Sequence, residues 1–135
     1  MTSVDTNMLV RLLTGDDPEQ AAASRVVFAD GPVWIAKTVM LEAERVLRSA
    51  YGFERGPVRE AFTGLPGLSN VQVEDAATVA RALELMRHGV DFSDALHWNS
   101  RPAGVSFVSF DKEFVRRAKR AGAKGVSATP TRFSQ

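Results

Sequence analysis

The stretch SVDTNMLVRLL, residues 3–13, places a charged side chain at the junction of two predicted elements. Thr2–Asp5 is typical of a short strand, and Thr6–Leu13 is typical of a helix that ends near Gly15. Asp5 therefore stands at the carboxyl end of a strand and at the start of a helix. An aspartate in that position caps the helix, and it can equally serve as one ligand of a metal ion. The stretch alone leaves both interpretations open.

The alternation of short apolar strands with helices continues along the chain. Further strands are predicted at Val33–Ala36, Val71–Glu74, Val105–Phe110 and Val126–Ala128. Further helices are predicted at Glu19–Ala29 with Pro18 as the first residue, Thr38–Tyr51, Pro57–Gly64, Asp75–Arg87 with Asp75 as its cap, Asp91–Asn99 and Lys112–Ala121. This pattern predicts one α/β domain over residues 1–135, with three layers (α/β/α) around a mainly parallel sheet of about four to five strands.

Composition excludes several classes of protein and of site. Hydrophobic residues make up 44% of the chain and charged residues 24%, the balance of a soluble globular domain. No apolar run is long enough to span a membrane, and the start has no signal-peptide pattern, so we expect a cytoplasmic protein. The absence of cysteine excludes disulfides, thiolate zinc sites and a cysteine nucleophile. With only two histidines, any metal must be a hard cation with oxygen ligands, such as Mg²⁺ or Mn²⁺.

Charge is distributed unevenly along the chain. Residues 1–44 hold three basic and seven acidic residues, whereas residues 45–135 hold fourteen basic and nine acidic ones. The last long helix carries four cations on one face, and a fifth candidate lies on an earlier helix: Lys112, Arg116, Lys119, Arg120 and Arg45. Such a face can contact RNA phosphates, but an ordinary solvated helix face has the same pattern, and charge alone does not choose between them.

Besides Asp5, three acidic residues have unusual positions; an ordinary surface charge or a helix cap explains each one singly, and only their joint pattern is specific. Glu42 lies at one edge of the apolar stripe of its helix and Glu44 at the opposite edge, so the helical wheel does not choose between them. Asp94 falls in the first turn of a helix that Asp91 caps. Asp111 follows the predicted strand VSFVSF and begins the next helix.

Ser109 precedes Asp111 by two residues and points the same way on the strand. If the sheet is parallel, the acidic positions can converge at one of its edges. A fold gains nothing from bringing carboxylates together unless a cation binds, since like charges raise each other's pKa.

The chain resembles the PIN domain, and in particular the VapC-type toxins of toxin–antitoxin pairs. The resemblance covers nearly the whole chain and rests on VDTNMLVRLL, LEAERVLRSAYGF, DFSDALH and VSFVSFDKEF in that order. It implies that Asp5, Glu42, Asp94 and Asp111 are the four catalytic acids, with Asp5 and Asp94 as the metal ligands. It also implies Asn7, Ser109 and Asp91 as supporting positions, and it favours Glu42 over Glu44.

The activity that this resemblance implies is metal-dependent hydrolysis of RNA by a water activated on Mg²⁺ or Mn²⁺. The implied substrate is structured RNA, such as transfer or ribosomal RNA. The implied partners are a small antitoxin protein and a second copy of the chain. The principal alternative is a catalytically silent module that keeps the fold and binds RNA or a protein. A phosphoacceptor signalling domain is disfavoured, because only one acid follows the first strand.

Overall fold

A computed structural model describes residues 1–129, in which short strands alternate with helices. The strands are β1 (Thr2–Ser3), β2 (Val33–Ile35), β3 (Val71–Val73), β4 (Phe107–Ser109) and β5 (Val126–Ala128). The helices are α1 (Thr6–Thr14), α2 (Pro18–Ala29), α3 (Lys37–Ser49), α4 (Arg55–Gly64), α5 (Ala76–Met86), α6 (Phe92–Asn99) and α7 (Lys112–Arg120), and a 3-10 turn at Leu65–Gly67 follows α4. Every predicted element is present, with ends within two residues of those expected.

The chain divides into two compact units, Met1–Ala77 and Thr78–Gln135. We call them the N-terminal unit and the C-terminal unit, and the structure describes the second through residue 129. Each is described by itself. The expectation of one domain over the whole chain stays a prediction.

The N-terminal unit is built on a three-stranded parallel sheet in the order β1-β2-β3. Val33 and Ile35 of the central strand are fully buried, which explains why this strand is apolar. In the register, Val33 pairs with Val71 and Ile35 with Val73. Because the strands are parallel, their carboxyl ends lie along one edge, where ligands bind in open α/β sheets.

Helices α1, α2 and α3 pack together in the N-terminal unit. Leu9 of α1 and Met40 and Ala43 of α3 are fully buried. At the far end of this packing, the Tyr51 hydroxyl donates a hydrogen bond of 2.7 Å to Asp16, and Arg11 lies 2.8 Å from the same carboxylate. The hydrogen bonds from Tyr51 and Thr14, together with Arg11, lower the pKa of Asp16 to about 2.

The C-terminal unit contains a two-stranded parallel sheet of β4 and β5, with α7 packed against both strands. Phe107 of β4 meets Phe114 of α7 edge to face, with ring centroids 5.8 Å apart. Val90 and Phe92, at the start of α6, are fully buried. None of the helices within residues 1–129 has the length and apolar character needed to cross a membrane.

Two local predictions are corrected by the structure. The strand predicted over Val105–Phe110 contains only Phe107–Ser109, the three residues that pair with Val126–Ala128 of β5. Asp75 does not cap α5 as an N-cap does, since its φ of +49° is far from the extended conformation of a capping residue. Its carboxylate instead lies 3.3 Å from the Lys37 ammonium group.

Candidate active site

Asp5 caps α1, as its position in the sequence allows. Its backbone is extended (φ −89°, ψ 177°), and its carboxylate accepts a hydrogen bond of 2.9 Å from the Met8 amide. Asp17, Asp91 and Asp111 cap later helices in the same manner. Capping therefore does not distinguish Asp5 from the other three aspartates, but the residues around it do.

Asp5 lines an open pocket of about 310 Å³ in the N-terminal unit. The pocket lies between the start of α1 and the first turns of α3, and its lining is Asp5, Thr6, Asn7, Thr38, Val39 and Glu42. Since α1 follows β1 and α3 follows β2, the pocket is at the carboxyl edge of the sheet. The structure thus brings together three residues that the sequence singled out, namely Asp5, Asn7 and Glu42.

A second pocket of about 230 Å³ borders the same aspartate and lies between α1 and α2. Asp5 and Asn7 line both pockets, and Arg11, Gln20 and Ser24 complete the polar part of the second one. The exposed start of α1 therefore presents two polar side chains to two open cavities.

Glu42 and Glu44, two residues apart on α3, have opposite environments. Glu42 is exposed and lines the Asp5 pocket. Glu44 is buried, with 3% of its surface exposed, and its carboxylate lies 3.8 Å from the Arg48 guanidinium one turn later. The helical wheel left this choice open, and the tertiary packing places Glu42 at the pocket and Glu44 in the core.

The C-terminal unit gathers a second set of acids. Asp91 caps α6 and accepts hydrogen bonds from the amides of Ser93 (3.1 Å) and Asp94 (3.4 Å). The pKa of Asp94 is raised, first by its partial burial, then by the negative charge of Asp91 and then by that of Asp111. His97 has a smaller, opposite effect. Asp94 is thus a carboxylate held where its own charge is unfavourable, which is the environment that a cation relieves.

Asp111 is held at both its backbone and its side chain. Its amide donates a 3.0 Å hydrogen bond to the Ser109 hydroxyl, and its carboxylate accepts one of 3.0 Å from the Phe114 amide. Ser109 therefore orients the chain at the end of β4. The supporting role of Ser109 in a site stays a prediction.

Arg117 is a residue that the sequence analysis missed. Its guanidinium donates a 3.0 Å hydrogen bond to the Gly89 carbonyl and lies 2.8 Å from Glu113. It therefore connects α7, which Asp111 begins, to the turn before α6, which carries Asp91. Arg117 lies off the cationic face of α7. No pattern in the sequence predicts its hydrogen bond to Gly89, which is 28 positions away.

The predicted RNA-binding cations are all exposed: Lys112, Arg116, Lys119 and Arg120 in the C-terminal unit and Arg45 in the N-terminal unit. On α7 they lie opposite the buried side chains Phe114, Val115 and Ala118. Arg116 is in addition paired with Glu113, so part of its charge is already neutralised. The exposed face is accessible from solvent.

The donor atoms of these sets fit a hard divalent cation better than any other metal. All are carboxylate, amide or hydroxyl oxygens, and the chain has no thiolate to offer. Within residues 1–129, no three acidic or histidine side chains form a ready-made metal cage. That finding is compatible with Mg²⁺, which keeps several waters and is held by one or two carboxylates together with substrate phosphates.

Comparison with known protein families completes this description. A family model described as PIN domain matches residues 3–120. No curated protein and no solved structure matched the chain. The match spans both units, and with it the predicted α/β class of parallel strands flanked by helices is confirmed. On this evidence the chain belongs to the PIN-domain family, whose members are generally nucleases.

Proposed function

We propose that this protein is a metal-dependent endoribonuclease and the toxin of a VapC-type toxin–antitoxin pair, acting in the cytoplasm. The observation that carries the proposal is the open pocket at the carboxyl edge of the sheet. Asp5, Asn7 and Glu42 line it in a chain that belongs to the PIN family. The acidic set of Asp91, Asp94 and Asp111 supports it, because gathered carboxylates are unfavourable unless a cation binds.

The proposed roles rest on the resemblance to the PIN family. Asp5 and Asp94 would hold the cation, Mg²⁺ or Mn²⁺, and Glu42 and Asp111 would complete the acidic pocket, directly or through water. When bound, the cation supplies a polarised water and neutralises charge on the phosphate. Asn7 and Ser109 keep Asp5 and Asp111 in place, and the cations of α7 hold the RNA backbone.

The decisive experiment is incubation of the purified chain with total cellular RNA, with Mg²⁺, with Mn²⁺ and with EDTA, followed by mapping of the cut ends. Cuts at defined positions that disappear with EDTA are expected. RNA that stays intact with both metals contradicts the proposal. The Asp5→Asn and Asp94→Asn variants exclude a contaminating nuclease, because a contaminant persists in both.

The toxin role has its own consequences. A toxin that cuts cellular RNA requires a silencing partner, and we propose a small antitoxin whose arginine pairs with the carboxylates that hold the metal. A homodimer of the nuclease is part of the same proposal. Expression of the chain without a partner is expected to stop growth, whereas expression of Asp5→Asn is not.

A second candidate function is a catalytically silent PIN module that binds RNA or a protein. The observation in its favour is that no ready-made metal cage exists among the side chains of residues 1–129. This candidate predicts RNA binding without cleavage, equal in Mg²⁺ and in EDTA. The same incubation, combined with a gel-shift measurement, separates it from the ribonuclease.

A further inference from the structure

Phe110 is an aromatic side chain exposed to solvent beside a candidate catalytic acid. It lies between β4 and Asp111, and 74% of its surface is exposed. Val108, two residues earlier, is 58% exposed. Phe107, on the opposite face of the strand, packs against Phe114 of α7. One face of β4 is therefore covered by α7, while the other presents a free ring next to Asp111.

The size of this patch limits what can cover it. A phenylalanine ring buries about 150–250 Å² when fully covered, so Phe110 exposes on the order of 150 Å². A stable protein interface buries roughly 800 Å² on each partner. Phe110 and Val108 fall well short of that area, whereas a single nucleobase covers one face of one aromatic ring.

The charge of this part of the chain is complementary to a nucleic acid. The C-terminal unit contains ten basic and five acidic residues, whereas the N-terminal unit contains seven basic and eleven acidic ones. Lys112 follows Asp111 directly and is exposed. An aromatic ring for the base and a cation for the phosphate, close together on a positively charged unit, are the two elements of single-strand recognition.

We propose that Phe110 is a stacking platform for one unpaired nucleobase next to the bond that is cut, with Lys112 contacting the adjoining phosphate. This inference rests on the ribonuclease function proposed above and adds a substrate class to it. In a duplex the faces of each base are covered by neighbouring base pairs, so the platform selects single-stranded segments such as loops. Phe110 acts in binding and positioning, and it takes no part in bond breaking.

The test measures binding apart from cleavage. A fluorescein-labelled single-stranded RNA of 12 nucleotides and mixed sequence is titrated by anisotropy with EDTA present, alone and annealed to its complement. The variants are Phe110→Ala, Phe110→Trp and, as a matched control, Val26→Ala, which removes an apolar side chain 66% exposed on α2. Circular dichroism checks that each variant is folded.

Phe110→Ala is expected to weaken single-strand binding roughly tenfold to a hundredfold, as alanine does at other stacking positions. Phe110→Trp should bind at least as tightly as the wild type, with quenching of the new indole by the base. Binding of the duplex, and of either RNA by Val26→Ala, should change less than about twofold.

Two results overturn the platform while the ribonuclease stands. One is equal single-strand affinity of Phe110→Ala and Val26→Ala in a chain whose wild type cuts RNA. The other is a change from dimer to monomer in Phe110→Ala by light scattering, which assigns the patch to a second copy of the chain. A wild-type chain that neither binds nor cuts the single strand overturns both proposals.

Discussion

The two acidic sets of this protein, Asp5 with Glu42 and Asp91 with Asp94 and Asp111, differ in their burial and in the charges around them. In the N-terminal unit, Asp5 and Glu42 are exposed beside an open pocket, and Asp5 also stabilises α1 as its cap. In the C-terminal unit, Asp94 is partly buried and lies under the influence of two other negative charges, which raise its pKa. Burial and neighbouring negative charge thus disfavour the ionised form of Asp94, an effect that a bound cation would oppose. The comparison teaches that candidate metal ligands within one chain can have very different surroundings.

The largest expected effect is the loss of cleavage when a ligand from either set is neutralised. Asp5→Asn and Asp94→Asn should each lower the cleavage rate about a thousandfold or more, since the metal contributes several kcal/mol of transition-state stabilisation. The measurement is a single-turnover assay on an RNA that the wild type cuts. Asp17→Asn is the matched control, because Asp17 also caps a helix by accepting a hydrogen bond, of 3.0 Å, from the amide three residues later, and it belongs to neither set. If Asp5→Asn or Asp94→Asn retains activity, the set that contains that residue is not needed for cleavage.

The next effect separates the two glutamates of α3. Glu42→Gln should reduce cleavage at least about a hundredfold while leaving the melting temperature unchanged, since its side chain is exposed at the pocket. Glu44→Gln should keep activity and lower the free energy of unfolding by about 1–3 kcal/mol, since it disturbs a buried carboxylate beside Arg48. Cleavage assays and thermal melts on both variants give four values. An activity loss in Glu44→Gln alone would reverse the assignment.

Metal binding should appear as thermal stabilisation. At a Mg²⁺ concentration one hundred times its Kd, the free energy of unfolding should rise by about 2.7 kcal/mol. The measurement is a melt of the wild type and of the Asp5→Asn/Asp94→Asn double variant, each with and without Mg²⁺. An equal rise in both proteins would show that the cation binds elsewhere.

A smaller effect tests how the C-terminal set is held. Arg117→Ala removes the hydrogen bond to the carbonyl of Gly89, two residues before Asp91, and should loosen the support of the acidic set. We expect the Mg²⁺ concentration for half-maximal activity to rise roughly tenfold, the lower end of the effect of losing outer contacts around a metal site. Arg116→Ala is the control, since Arg116 also pairs with Glu113 but no bond from it to Gly89 is seen. The control should weaken RNA binding without moving the Mg²⁺ midpoint. If both variants raise the Mg²⁺ midpoint equally, the effect comes from the contact with Glu113, which both arginines make.

The smallest effect concerns pH and stability without metal. Because folding raises the pKa of Asp94, its charge destabilises the fold at neutral pH, and this penalty fades as pH falls below the raised pKa. Asp94→Asn should therefore raise the melting temperature at pH 7 by roughly 1–3 °C, and Asp5→Asn should leave it nearly unchanged because asparagine also caps helices.

The pKa of Asp16 is shifted in the opposite direction, so the pH dependence of the melting temperature should have the opposite sign. Its pKa is lowered to about 2, so its contribution to stability is present above about pH 4 and is lost as pH falls toward 2. Asp16→Asn should lower the melting temperature at pH 7, and the deficit should shrink in acid. Melts of both variants between pH 7 and pH 2 check the two signs, and parallel curves would contradict them.

Much of this architecture was open to prediction because its signals are local. The strand ends, helix starts and caps follow from turn residues, apolar runs and aspartates within a few positions of one another, as in SVDTNMLVRLL at residues 3–13. The parallel pairing followed from the alternation of strands and helices. The aspartates were singled out because each stands at a strand end or a helix start.

Features that depend on distant residues were beyond the reach of sequence patterns. The alternation of strands and helices predicts a sheet covered on both faces, yet Val108 and Phe110 of the run VSFVSF are exposed, because burial depends on what packs above the strand. The contact of Arg117 with Gly89 joins residues that share no local signal. Helical periodicity could not separate Glu42 from Glu44, since both lie at edges of one stripe.

By itself, the amino-acid sequence determined the order and type of the elements, the absence of cysteine thiolates as metal ligands and the set of acids worth considering. Only the tertiary structure decided which charges act on Asp94 and which aromatic side chain is left exposed beside Asp111. It also places Glu42, which the family resemblance favours, at the pocket. The physical reason is the separation along the chain over which each interaction acts. Caps, turns and periodicity act over a few residues, whereas burial and the electrostatic influence of one carboxylate on another depend on segments far apart in the chain.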